Sequence, residues 1–248
     1  MTTETPGWEL FARYAFPPNE LGYCGPPDSS VLLHGGGHFE IARHAAGFDG
    51  AWPYLEEIAA AVGAAQPLET AVVRSYWIGG PQLAAVDGAR LARRLRTAFA
   101  GQPTGVLDSV HGGALANHSF HVFAVYPWVR FLDIDPATPL RILQACRIRW
   151  GTVVSVDDEH IVMTSRPLRF DGGALTLGDA TAESVRWSRG GASLAPAPRP
   201  GDTVAAHWDW ICGSLGADDV ADLEDATVAT LDLVNAARRS DRSLSRNA

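Results

Sequence analysis

Lysine is absent from this chain: all 20 basic side chains are arginine, set against 28 aspartates and glutamates for a net charge of −8. Without a lysine, the run Gly35-Gly36-Gly37 is no phosphate loop, because such loops need one to reach the phosphates. The shortage of positive charge also argues against nucleic acid or an anionic membrane as the main partner, since both require a basic face. Long hydrophobic runs are missing too. No stretch approaches the roughly 18 uninterrupted apolar residues of a membrane helix, so no membrane association is expected. Met1 to Pro6 is polar, and no early apolar run follows a basic segment, so a secretory leader is not expected. Cysteine is scarce, at three residues (Cys24, Cys146 and Cys212). Without a leader these read as reduced thiols in a cytoplasmic protein. HExxH, CxxC and nucleophile-elbow motifs are absent as well.

What remains is the composition of an ordinary globular protein of 248 residues, 46% hydrophobic and 19% charged, long enough for one or two domains. Its texture changes along the chain. From Trp8 to Phe99 the periodicity is mostly helical. Trp8, Phe11, Ala12 and Ala15 share a face, and Pro17-Pro18 is expected to stop that helix. A turn-rich loop then carries Cys24 to Pro27. Further helices are expected from Asp28 or Ser29 to Leu33, around Phe39 to Ala42, after Pro53, after Pro67, and from Leu83 to Phe99. The Val122–Trp128 stretch reads equally well as a strand or a buried helix. Asp133 to Pro139 reads as a junction, which divides the chain into a mostly helical domain (1–140) and a second domain (141–248).

In that second domain, period-2 alternation and Gly punctuation predict strands over 144–156, 160–170, 175–177, 181–188 and 203–211, with a hairpin turn at Asp171-Gly172-Gly173. Short strands at this spacing suggest a small barrel. An acidic helix follows, with Val220, Leu223, Thr227, Leu231 and Val234 as its buried stripe and its aspartates toward the positive N-terminal end. The expected fold class is therefore α+β.

Two strands carry the chemistry. Cys146-Arg147-Ile148-Arg149-Trp150-Gly151-Thr152-Val153-Val154 brings a cysteine whose arginine neighbours would favour the thiolate. Pro200-Gly201-Asp202-Thr203-Val204-Ala205-Ala206-His207 brings a histidine, with Asp209 two residues on and placed to orient it. In one barrel, a thiolate and an imidazole can converge on a soft metal.

The pattern C-x-I-x-x-G-x-V-V, followed by P-G-D-x-V-x-x-H and an acidic amphipathic helix, resembles the HypC/HupF family of [NiFe]-hydrogenase maturation chaperones. The likeness covers Cys146 to Ala237. It departs from the family in having Trp150 where proline is usual, an internal rather than N-terminal cysteine, and a longer Cys-to-His span. The resemblance implies an OB-like barrel with Cys146 and His207 as ligands of an iron carrying cyanide and carbon monoxide. It also implies a carrier or chaperone rather than an enzyme, whose partners are a hydrogenase large subunit or other maturation proteins. A different reading places a metal-dependent or histidine-dependent enzyme site in the first domain, at His111, His118 and His121 with Cys24. A third keeps the barrel as a plain binding module without metal. Cys212 reads as a free thiol.

Overall fold

The computed structural model describes residues 5–33, 37–110 and 113–246. The candidate His111 lies outside them. The N-terminal part holds α1 (Gly7–Glu20), α2 (Ser30–Leu33), α3 (His38–Ala45), α4 (Trp52–Val62), α5 (Thr70–Trp77), α6 (Gly88–Ala98) and the single turn α7 (His118–Phe120). A π-helical turn, His121–Val125, continues α7, and α8 (Ala137–Cys146) leads into the strands. The strands are β1 (Arg149–Val156), β2 (His160–Ser165), β3 (Leu168–Asp171), β4 (Ala174–Leu177), β5 (Thr181–Arg186), β6 (Thr203–His207) and β7 (Trp210–Ser214). A 30-residue helix, α9 (Ala217–Arg246), closes the chain. The α+β class follows directly. No helix among the described residues is long and apolar enough to cross a membrane.

Five strands close into a barrel in the order β1-β2-β5-β7-β6, and β3 and β4 form a separate hairpin. Gly151 lies where β1 crosses β2; a Cβ there would sit 2.4 Å from the Thr164 carbonyl oxygen, so only glycine allows that approach. Strand alternation sorts the side chains between two cores. Val153, Ile161, Met163, Val185, Val204, Ala206 and Ile211 fill the barrel. Ala205, Trp210 and Cys212 point outward into a larger core that takes in the helices from Phe11 to Ala237.

The structure corrects several expectations. Pro17 and Pro18 lie inside the last turn of α1, which ends two residues later at Glu20 instead of before them; each forfeits a ladder bond. Cys146 ends a helix instead of opening a strand, and β1 begins at Arg149. The 133–139 stretch read as a junction runs into α8, with Pro136 at its N-cap and Pro139 in its first turn. Prolines are tolerated there because those N–H groups have no helical partner. Residue 140 thus falls within a helix, and the larger core draws on side chains from both sides of it. The 203–211 run is two strands, split by a turn in which Trp208 takes φ 50°. The 160–170 run is likewise divided into β2 and β3. Val122–Val125 is a buried helical turn, and after an extended Tyr126 a second turn begins at Pro127. The acidic helix forms as expected, with Leu223, Thr227, Leu231 and Val234 all buried.

Candidate metal centre

The site is assembled from three elements. At the end of α8, the Cys146 side chain is almost fully buried. The turn after β6 is stitched to that helix end: the Trp208 N–H donates to the Ala145 carbonyl at 2.8 Å. The Arg149 guanidinium donates to the Ala145 carbonyl (3.1 Å) and to the Trp208 carbonyl (2.7 Å). These bonds bring His207, the last residue of β6, up to Cys146. His207 follows the inward-facing Ala206, so it lies on the outer face of the barrel, under α1. The third element is α7. Asn117 caps it by accepting from the Phe120 N–H at 2.9 Å, and α9 holds it through Ser119–Thr227 and Asn117–Thr230 hydrogen bonds (3.3 and 3.4 Å). That docking sets His118 against the other two.

His118, Cys146 and His207 are all buried, and one donor atom from each lies within 4.8 Å of the others. Among the described residues, these three form a group able to hold a metal ion. The two imidazoles stand edge to face, 5.0 Å apart, with Trp77 packed on both, 4.6 Å from His118 and 5.7 Å from His207.

The hydrogen bonds distinguish the two histidines. His207 Nδ1 is 2.7 Å from the Tyr14 carbonyl oxygen. A carbonyl only accepts, so Nδ1 carries the proton and Nε2 is left with its lone pair. That Nε2 is buried and makes no hydrogen bond of ordinary geometry, with the Cys146 carbonyl nearby. His118 is committed at both nitrogens: Nε2 donates to the Cys146 carbonyl at 2.9 Å, and Nδ1 lies 3.3 Å from the Tyr76 hydroxyl. A metal at His118 would compete with one of these bonds, whereas at His207 it would satisfy an orphaned atom.

Burial dominates the electrostatics. It lowers His118 to about 4 and His207 well below the ordinary imidazole value, so both are neutral near pH 7. It also pushes the Cys146 thiol far above its usual range, with Cys24 adding to the rise and the Trp208 side chain opposing it. The expected help from Arg147 and Arg149 is absent. Arg147 donates to Gln144 (2.9 Å) and to the Arg166 carbonyl, and Arg149 pairs with Glu183 at 3.0 Å. Asp209 does not orient His207 either. It is exposed and faces Arg186 at 3.5 Å, and the Tyr14 carbonyl takes the orienting role. A metal would reverse the thiol's energetics by replacing its proton with a larger positive charge.

A small cavity of about 30 Å³ opens beside His118 and Cys146, about the room one water needs. Cys24, Tyr76, His121 and Tyr126 are on its walls. His121 is held by the Tyr54 hydroxyl at 3.4 Å and lowered to about 3, chiefly by burial. Gly50 backs it so closely that a Cβ would lie 2.8 Å from Nε2. From the sequence, Cys146 with His207, and Cys24 with His111, His118 and His121, are rival sites. The structure joins members of both: His118 completes the first pair, while Cys24 and His121 line the adjoining cavity. Cys212, on β7, is buried with its Sγ 3.8 Å from the Trp210 carbonyl and is on neither. The Tyr14 carbonyl was beyond sequence reading, since nothing in a side-chain pattern marks a backbone acceptor.

The family model of DUF6390, a family of unknown function, matches residues 3–241. The chain belongs to this family. No curated protein and no solved structure matches it significantly. The match takes in all three elements that bring His118, Cys146 and His207 together in the DUF6390 chain, from α7 through β6.

Proposed function

We propose that the chain is a metal-holding accessory protein that binds one soft transition metal through His118, Cys146 and His207. One observation carries this reading: the unpartnered His207 Nε2, fully buried beside a thiol and a second imidazole. Leaving such an atom unsatisfied costs about 1–3 kcal/mol, a cost that coordination removes. Two nitrogens and one sulfur form a donor set that suits iron, copper or zinc and disfavours magnesium or calcium. The ion we propose is iron. The barrel's strand order supports reading it as OB-like, with the β3–β4 hairpin inserted between its second and third strands. Together with the Cys146 and His207 motifs, this favours a carrier or chaperone in the maturation of a [NiFe] hydrogenase. Three protein donors leave coordination positions for exogenous groups, which suits a protein that must later release its ion. The cavity admits one small exogenous group beside the ion as it stands.

The test is iron content and the infrared bands of bound cyanide and carbon monoxide, in protein isolated anaerobically with hydrogenase maturation partners. Iron that disappears in Cys146→Ser and His207→Ala supports the carrier. A second reading, an enzyme working at the cavity through His121, draws on that residue's place in the cavity wall. It predicts instead that His121→Ala alone abolishes function with the metal content intact.

A further inference from the structure

Building on the three-donor metal reading, we propose that Cys24 is a fourth donor to the same ion, supplied from the loop between α1 and α2. The cavity that touches His118 and Cys146 also touches Cys24, so the two thiols share one wall-to-wall space. The trio itself is buried, whereas Cys24 is only partly covered and its neighbour Tyr23 is 38% exposed.

Two contacts tie the loop to the site. The Asn19 side-chain amide donates to the carbonyls of Cys24 (2.8 Å) and Pro26 (2.7 Å). The Tyr23 ring stacks on Trp208 at 4.2 Å, and Trp208 directly follows His207. The position of Cys24 is thus coupled to the segment that carries a ligand. Gly22, at φ 73° with open space around it, offers the loop a pivot, whereas Gly25 is pinned beneath the Phe48 ring. Cys24 lies outside the 4.8 Å spread of the trio, so coordination draws it inward across the cavity.

The chemistry favours it. Octahedral iron keeps positions for exogenous groups even beside a fourth protein donor, and a thiolate is the soft donor nearest the open side.

The experiment is a titration of the full-length protein with cobalt(II) under reducing conditions, followed by the thiolate-to-cobalt charge-transfer absorbance. The wild type should bind one ion with the absorbance of two thiolates. Cys24→Ser should keep one ion, lose roughly half of the band and bind roughly tenfold or more weakly, while Cys212→Ser matches the wild type. Circular dichroism of each variant checks that the fold persists, and Cys24→Ala provides a second variant. Unchanged absorbance and affinity in folded Cys24→Ser or Cys24→Ala, with the band lost in Cys146→Ser, overturns the fourth donor and leaves the three-donor site standing. A band unchanged in both Cys24→Ser and Cys146→Ser, or absent from the wild type, overturns both readings.

Discussion

His207 is set as a ligand before any ion arrives, because a backbone carbonyl has already chosen its tautomer. The Tyr14 oxygen fixes the proton on Nδ1 and turns Nε2 toward the thiol. His207→Ala should therefore remove metal binding. It should also cost about 1–3 kcal/mol in the metal-free protein, since the Tyr14 carbonyl loses its donor in a dry environment. Urea unfolding with and without metal separates the two effects, and a variant that binds as tightly as the wild type contradicts the assignment. The buried imidazoles also set a pH dependence. In the unfolded chain histidine titrates near 6.5; in the fold His118 and His121 fall to about 4 and 3 through burial. Below pH 6.5 the unfolded state thus takes up protons that the native state refuses. Stability of the metal-free protein should be complete above that value and should fall as pH drops toward 5. The urea midpoint at pH 7.5, 6.0 and 5.0 measures this, and a flat profile would contradict neutral buried imidazoles.

At the scale of elements, α9 holds the molecule together. Its buried stripe packs on the larger core, Arg74 on α5 pairs with its Asp219 and Asp222 (2.6 and 2.8 Å), and Arg238 reaches Asp133 at 2.9 Å. Asn235 bonds to β4 as a neighbouring strand would: it accepts from the Leu175 N–H at 2.8 Å and donates to the Leu175 carbonyl at 2.9 Å. Asn235→Ala should cost about 1–3 kcal/mol by orphaning both groups. Leu231→Asp should cost several kcal/mol by burying an unpaired charge. Thermal melts check both, and an unchanged midpoint for Leu231→Asp would mean that the helix is undocked. The stripe was legible because a 3.6-residue period survives any tertiary context. The barrel strands were legible through alternation, and Gly151 through its place in the strand. Helix α8 was not, because Pro136 and Pro139 look like breakers unless they are known to occupy a first turn. The split of β6 from β7 was hidden for a similar reason, since Trp208 adopts a left-handed conformation that its residue type does not advertise.

At the scale of the whole molecule, the site exists only because the helical part and the barrel share one core. His118 comes from α7, Cys146 from the linking helix and His207 from the barrel wall, and no spacing rule could have joined the first to the others. A core continuous from Phe11 to Ala237 should melt in a single transition, with calorimetric and van't Hoff enthalpies in agreement. A bound ion that ignores the unfolded chain should raise that transition; at a free concentration of 100 Kd the gain is about 2.7 kcal/mol. Cys146→Ser should abolish the gain.

The central claim, that His118, Cys146 and His207 hold one ion together, is tested most directly by X-ray absorption of the zinc-loaded protein. The expected spectrum shows one ion per chain with sulfur at about 2.3 Å and imidazole nitrogen at about 2.0–2.1 Å. Cys146→Ser and His207→Ala should lose the ion, and His118→Ala should lose an imidazole. A shell of light atoms without sulfur, unchanged by all three substitutions, would contradict the account.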